Sequence, residues 1–586
     1  MNRHRSYWPL DENPTPFGDA VFTGVNALLD PALLAEGQMA LAVNARFDHG
    51  RAATRRGIRI MPWGALGYQY QQLADPGMVL PYGQAIMGES FRDPFGVEWV
   101  LIITADGTYK TQPGGKGTPV PIPPGEASSL ATDLIQSYNG MVMLRGRDAK
   151  PMYLRDVDEG WRLPPAPDAG KEEIPPSYQG VYFQNRLFLV DARDDPQHRD
   201  TVWVSDIGGV SSTLQGELAY QSFKINTGSS DRLRGIAKWN ETTLVAGKDQ
   251  SIYVVTNIYG SNQDLALNSI LAEVTHAYGC IAPRTFCQVG KDLWFLGHRR
   301  GIVSLSQTET NAIQGVDVPV SRDIQPLIDR INWEHSEVAR AEAHENGVYF
   351  AVPLDNAKDN TAVLVYSTLT KSWAGYDFSA ATRVRDFLKY TYSGAVRLGF
   401  LSQDGFLCLY GDGYHDQVGD AAGLVTNVPI ATVLRTRAYA GTTSGNKKFF
   451  RATARVATWN GSFTVHALPQ GYNETFQLDD IDRDNRRYIR PHGAPPWSVD
   501  NGGDDWDTPW REDYSADMHH TSVTAAVTGV GTMGFDILQE LEEIWNIPKF
   551  EGNHAQLEIS SRRGRLELCG LVLDTTRGST ASGTHG

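Results

Sequence analysis

Few side chains in this chain are suited to chemistry, and their spacing decides what they can do. The thiols are Cys280, Cys287, Cys408 and Cys569. The one close pair, Cys280 and Cys287, has His276 and His298 on either side in the order H-x3-C-x6-C-x10-H. Thiolates and imidazoles make structural zinc sites, but at tighter and more regular spacings. The pair therefore reads as two buried thiols of a chain folded in a reducing cytoplasm. Asp194 and Asp195 are adjacent in a Pro-containing loop. Glycoside hydrolysis needs two carboxyls facing each other across a sugar, whereas sequence neighbours diverge into water. The Ser-x-Asp-x-Gly-x-x-Trp box of sialidase-like enzymes is absent, and Asp106-Gly107-Thr108 and Asp404-Gly405-Phe406 are explained as hairpin turns. Asp500, Asp504, Asp505 and Asp507 lack the alternating ligands and fixed glycine of a calcium loop. They read as a solvated acidic loop, and His519-His520 as an exposed polar pair. No phosphate-binding glycine loop, metalloprotease helix or nucleophile elbow is present. The sequence thus assigns no catalytic, cofactor-binding or metal-ligating residue.

Charge narrows the partners. The chain has 586 residues, 68 acidic and 53 basic, for a net charge of −15. A nucleic-acid coat needs a basic footprint to displace counterions, so this composition excludes one. Basic residues cluster locally at Arg51, Arg55, Arg56 and Arg59 and at Lys447, Lys448 and Arg451. With little aromatic interleaving in the first group, these read as subunit contacts or solvated faces. The polar, Pro-rich start has no apolar signal-peptide core, and no run is long and apolar enough for a membrane helix.

The elements that position these residues are strands. Residues 96–111 read as an apolar run, an Asp-Gly turn and a second apolar run, the strongest short hairpin signal. The same grammar returns at 141–155, 185–206, 242–256, 292–306, 347–377 and 398–411. The first six hairpins start at Val100, Val142, Leu187, Leu244, Leu293 and Tyr349, an interval of 42 to 57 residues. That interval matches the repeat of β-propeller blades, small sheets that bury both faces only by packing around an axis. An all-β propeller of about six to eight blades follows, spanning 61–427. Apolar residues at helical spacing mark helices at 321–333, with Ser321 as N-cap, and at 537–545. From 428 to 586 the strands lengthen into an antiparallel, sandwich-like domain, with a hairpin turning at Arg563-Gly564. Residues 1–60 carry few hairpin signals and read as an arm lying across a neighbouring subunit.

Several segments together resemble a family. They are FTGVNALLDPALLAEGQMALAVNARFDHGRAATRRGI (22–58), GCIAPRTFCQVGKDLWFLGHRRGIVSL (279–305), DIQPLIDRINW with the strands up to Asp377, and RTRAY with KKFFRATARVATWNGSFTV. In this order they resemble the tail nozzle, or tail tubular protein B, class of short-tailed bacteriophages, over most of 20–576. The resemblance implies a non-enzymatic structural virion protein, made in the host bacterial cytoplasm and residing in the phage tail. It further implies a homo-oligomeric ring, six copies around the DNA channel at the distal tail, contacting an adaptor ring and fibre or spike proteins. Double-stranded DNA would pass the lumen without specific binding during retention and ejection. Acidic walls that repel phosphate suit such a conduit, with loops 191–200 and 500–507 as candidates for the lumen. Two other classes stand beside it: a receptor- or glycan-binding tail-tip propeller using loops near Trp497, Trp506 and Trp510, and a polysaccharide-degrading propeller enzyme.

Overall fold

The computed structural model describes residues 15–61, 82–112, 117–138, 140–208, 214–258, 269–308, 318–439, 447–469, 476–482, 539–552 and 554–577. Seven small antiparallel sheets follow one another along the chain, each a blade. In blade order their innermost strands are Ala85–Arg92, Asp133–Ser137, Ser177–Phe183, Leu233–Asn240, Cys287–Val289, Arg340–His344 and Val384–Tyr392. Each inner strand lies against its neighbours in the ring, with the short turn Pro283–Thr285 joining blade 4 to blade 5, and blade 7 returns to blade 1. This is a seven-bladed β-propeller.

The second strand of each blade shows why the ring forms. In Glu98–Thr104, Leu101 and Ile103 pack on blade 2, while Val100 and Ile102 pack on blade 7. In Arg186–Asp191, Leu187 and Leu189 face blade 2 and Phe188 and Val190 face blade 4. Period-2 alternation therefore divides an apolar run between two interblade cores. Neither face of a blade is polar enough to stand in water, and radial repetition covers both.

Closure is made by a distant strand. Ile58–Ile60 pairs with Leu407–Tyr410 as the outer strand of blade 7, before the chain enters blade 1. Gly405, at φ 86°, sits at this seam with Gly83 against it. The helix expected at 321–333 is a shorter 3-10 and α segment, Val320–Ile324 and Gln325–Ile328. Its apolar residues Ile324, Leu327, Ile328 and Ile331 are buried as the spacing predicts. Ser321 does not cap it; its hydroxyl accepts from Ile302 N at 2.9 Å.

The C-terminal region is antiparallel and built on two long strands, Lys447–Pro469 and Ala555–Arg577. The second runs straight through Gly564, so there is no hairpin at Arg563-Gly564; register shifts and the positive φ of Gly564 absorb the irregularity. The segment read as a helix at 537–545 lies in the strand Gln539–Gly552, paired with Lys447–Pro469. A nine-residue periodic window is too short to outweigh a long strand edge that needs a partner. Residues 15–54, expected to cross to a neighbour, pair within their own chain. Gly24–Val25 and Gln38–Val43 meet the outer strand of blade 6, Ser372–Phe378. Gln38–Val43 also pairs with Thr432–Thr436, and Thr15–Asp19 and Arg51–Thr54 pair with Ala555–Arg577. One continuous sheet thereby joins blade 6 to the C-terminal strands. The arm finds its core here because Phe22, Met39, Ala45, Phe47 and Ala52 bury against it.

Gly405 and Gly394 offer a controlled test of the seam. A Cβ on Gly405 would stand 2.1 Å from the Gly83 carbonyl oxygen, whereas one on Gly394, at φ 78°, meets nothing within 4 Å. Gly394→Ala should cost about 1 kcal/mol, the left-handed strain alone. Gly405→Ala should cost about 2–4 kcal/mol, because overpacking adds to that strain. Urea unfolding of both variants checks the difference, and equal losses would mean that the seam is loose.

Candidate functional site

The inner strands bring polar side chains to the propeller axis, where enclosed sites of such rings are built. A bulge just outside the axis recurs in blades 1, 3, 4 and 7, between Ala85 and Met87, Ser177 and Gln179, Leu233 and Gly235, and Val384 and Asp386. Bulges re-aim the residues that follow. Here they free side chains to tie one blade to the next. Asp133 of blade 2 accepts from Gly180 N of blade 3 at 3.0 Å. Gln179 of blade 3 accepts from Ile236 N of blade 4 at 2.7 Å and donates to Ile236 O at 3.0 Å. Asp386 of blade 7 accepts from Gly88 N of blade 1 at 3.2 Å.

Arg284, on the turn entering blade 5, spans the axis. Its guanidinium donates to Asp133 at 2.6 Å and to Asp386 at 2.5 Å, and reaches Met87 Sδ of blade 1 at 3.9 Å. Arg340 of blade 6 adds a contact of 3.3 Å to Asp386. Burial works against the charge of Arg284, but Asp386, Asp133 and Glu89 together hold it above the ordinary arginine value. Burial pushes the Asp133 carboxyl up, against the pull of Arg284. Burial lowers Arg340 to about 10, so it stays charged at neutral pH.

Glu89 of blade 1 completes the group. Burial lifts its carboxyl from 4.5 to about 8, with Arg284 opposing the rise and Asp386 and Glu342 adding to it. Burial, the larger cause, together with the like charges of Asp386 and Glu342 outweighs the pull of Arg284, which favours the protonated carboxyl at neutral pH. Chemically the axis is a lock. The oxygens of Asp133 and Asp386 are engaged by guanidinium and backbone N–H groups, which leaves neither carboxylate facing the other as a general acid–base pair requires.

A second buried polar centre holds the arm. Arg55 donates to both Asp416 oxygens at 2.8 and 2.6 Å, and Arg46 to both Asp377 oxygens at 2.9 and 2.6 Å. Asn44 accepts from Arg55 Nε at 3.0 Å, and the Tyr410 hydroxyl donates to Asp377. Burial opposes ionisation of Asp377, but Arg46 and Arg55 hold it below the usual carboxylate range.

The residues singled out in the sequence scatter. Cys280 and Cys287 are buried free thiols, and burial pushes Cys280 up to about 12. His276 is exposed beside Glu273, while His298 packs edge-on against Trp333. Asp194 faces Arg232 at 3.4 Å and Asp195 faces His198 at 2.7 Å, so the adjacent carboxylates do diverge. Of the arginine cluster, Arg55 is buried in the clasp, Arg59 meets Asp412 at 3.4 Å, Arg51 meets Glu567 at 3.3 Å and Arg56 is exposed. Asp500, Asp504, Asp505, Asp507, His519, His520, Trp497, Trp506 and Trp510 lie outside the described residues, as do the side chains of Lys447, Lys448 and Arg451. Among the described residues no three His, Cys, Asp or Glu side chains gather as metal ligands, and no helix is long and apolar enough to cross a membrane. The axial residues Glu89, Asp133, Arg284, Arg340 and Asp386 were missed by sequence reasoning. Their one signal was position, each lying ahead of a hairpin in the half of the repeat that carries no apolar run.

No family model and no curated protein matches the chain. Two solved structures are similar over 60% of this chain. One is YCF48 bound to a D1 peptide, at 13% identity, 99% of that chain covered and a TM-score of 0.32. The other is a catalytically inactive virginiamycin B lyase from Staphylococcus aureus with quinupristin, at 9% identity, 98% covered and a TM-score of 0.33. Neither likeness bears on the activity of this chain.

Two outcomes test the axis. Arg284→Met leaves Asp133 and Asp386 charged without their shared partner, and chemical denaturation should show a loss of about 3–5 kcal/mol. Glu89 gives the pH signature. Its proton is held up to about pH 8 when folded but is lost near 4.5 when unfolded. Raising pH through that window therefore favours the unfolded chain. The melting temperature of Glu89→Gln should gain on that of the parent as pH rises from 4.5 to 8 and stay level above; parallel curves would place the Glu89 proton elsewhere.

Proposed function

We propose that this chain is an architectural virion protein of a short-tailed bacteriophage, a subunit of a homo-oligomeric nozzle ring through which the genome leaves the tail. The family resemblance motivates it, and one observation carries it: Arg284 crosses the propeller axis and ties blade 5 to blades 2 and 7. With Arg284 crossing the axis, a duplex does not thread the propeller, so a conduit would lie between copies, and head-to-tail contacts give a ring where their rotation closes. The arm clasp stiffens the same body, because Arg55 and Arg46 pin residues 44–56 to blade 6 and to Asp416. In this reading the chain makes no bond, and the axial carboxylates serve cohesion.

A second reading, a glycan-binding tail-tip propeller, draws on one cavity of about 510 Å³ at the rim of blades 1 and 2. Trp99, Lys110, Gln112 and Asp158 line it, offering an aromatic face beside polar groups. Lys110 already sits 4.8 Å from the Trp99 ring centroid and pairs with Asp158, so those groups are engaged with each other.

Negative-stain images of the purified protein at high concentration should show rings with a central pore. Cryo-electron microscopy of the particle should place the same ring at the distal tail. A monomer in solution, absent from the tail, sinks the proposal; turnover of host polysaccharide, or binding on a glycan array lost in Trp99→Ala, moves the assignment to the other classes.

A further inference from the structure

The outer strand of blade 4 differs from those of the other blades. The outer strand is where a blade shows unpaired backbone to solvent, and such edges are ordinarily kept short, covered or interrupted. Blades 1, 2 and 3 end in strands of three residues, Thr118–Val120, Met152–Leu154 and Ser222–Lys224. That of blade 5, Gly301–Ser304, lies beside the Val320–Ile324 turn, whose Ser321 hydroxyl accepts from Ile302 N. Blades 6 and 7 are finished by Gly24–Val25 and Ile58–Ile60 from earlier in the chain. Blade 4 ends in Ile270–Thr275, six residues without Pro, Gly or Lys. Its inner side pairs with Ile252–Thr256, and no strand pairs with its outer side among the described residues.

Its side chains are as open as its backbone. Ile270 is 58% exposed and Leu271 39%, and Ala272 and Glu273 are exposed beside them. Successive residues of a strand point to opposite faces, so apolar surface is left uncovered on both faces of this edge. The Tyr253 hydroxyl donates to Glu273 at 3.1 Å and His276 lies 3.0 Å away, yet 42% of the Glu273 side chain remains exposed. An open edge with apolar side chains and one reachable carboxylate suits strand addition, in which backbone hydrogen bonds give affinity and alternate side chains give specificity.

We propose that this edge receives residues 3–8 of a second copy as an added antiparallel strand. The proposal rests on the self-assembly proposed for the ring and names a contact that makes it. Residues 1–14 precede Thr15–Asp19, which is held against the C-terminal sheet with Thr15 opposite Thr575. That length reaches at most about 46 Å, enough to pass from one copy to the next. Residues 3–8 read Arg-His-Arg-Ser-Tyr-Trp and stop at Pro9, which has no N–H to continue a ladder. An antiparallel register with Arg5 opposite Glu273 sets Ser6 opposite Ala272, Tyr7 opposite Leu271 and Trp8 opposite Ile270. It gives one opposite-charge pair and two aromatic–aliphatic pairs, the combinations that stabilise neighbouring strands. The parallel register with the same ion pair sets Asn2 and Arg3 against Ile270 and Leu271, which wastes both apolar positions. The donor segment starts from the C-terminal sheet and the receiving edge is on blade 4, so two different patches meet. Such a contact is heterologous, the kind that closes rings.

The test uses the full chain in analytical ultracentrifugation, with circular dichroism to confirm that each variant folds. Arg5→Glu and Glu273→Arg each set like charges opposite one another and should weaken self-association about fivefold. The double variant restores an opposite pair and should return to within about twofold of the parent. A disulfide trap reads the register. Ser6→Cys with Ala272→Cys should link separate chains on a non-reducing gel, whereas Ser6→Cys with Thr275→Cys should not; Cys280, Cys287, Cys408 and Cys569 are buried and stay silent. Self-association of parental strength in both charge variants overturns this contact and leaves the ring reading standing. A parent that stays monomeric overturns both. A trap that closes within one chain overturns the exchange between copies. The expected pattern in a protein that the phage tail lacks upholds the contact and removes the nozzle reading.

Discussion

Everything in this propeller hangs on what seven inner strands do where they converge. Each brings a backbone edge and polar side chains towards the axis, and Asp133 and Asp386 are buried there. Arg284 resolves the constraint by reaching from blade 5 to carboxylates on blades 2 and 7. Around it, Asp133, Gln179 and Asp386 carry hydrogen bonds from blade to blade. Buried charge pairs of this kind contribute little net stability over an apolar core, but losing one member is severe.

A second constraint acts at the edges. Blade 6 would end in an open strand, and open strands invite pairing with foreign chains. The N-terminal segment covers that edge, and the C-terminal strands continue the sheet beyond it. Ile58–Ile60 covers the edge of blade 7 in the same way. Segments 15–60 and 432–577 are thus fastened to each other and to the last two blades. Arg55 with Asp416 and Arg46 with Asp377 secure the join at its centre.

The same join creates an arginine-lined cleft. Three strands from both ends of the chain place side chains on a common face, and the small Ala53 opens the hollow between them. Its arginines are paired within the chain, Arg46 with Asp377 and Arg51 and Arg565 with Glu567.

The strands of the blades were legible from sequence. Each of the seven hairpins is present as strand, turn and strand, because alternating apolar residues record locally that both faces will be buried. The all-β class and the repeat followed from the same signal. The axis was not legible. Glu89, Asp133, Arg340 and Asp386 sit in inner strands that are polar, bulged or very short, Arg284 sits on the turn Pro283–Thr285, and nothing in their spacing names a partner. The arm was read as crossing to a neighbour because its own residues cannot show that its partners lie more than 300 positions away, as Arg46 and Asp377 do. Residues 539–552 had a helical stripe, yet became a strand because Lys447–Pro469 offered an edge. Alternation and turns are properties of neighbours along the chain, so the sequence by itself determined them. Charge partners, edge coverage and the cleft depend on residues brought together from afar, and those only the tertiary structure decided.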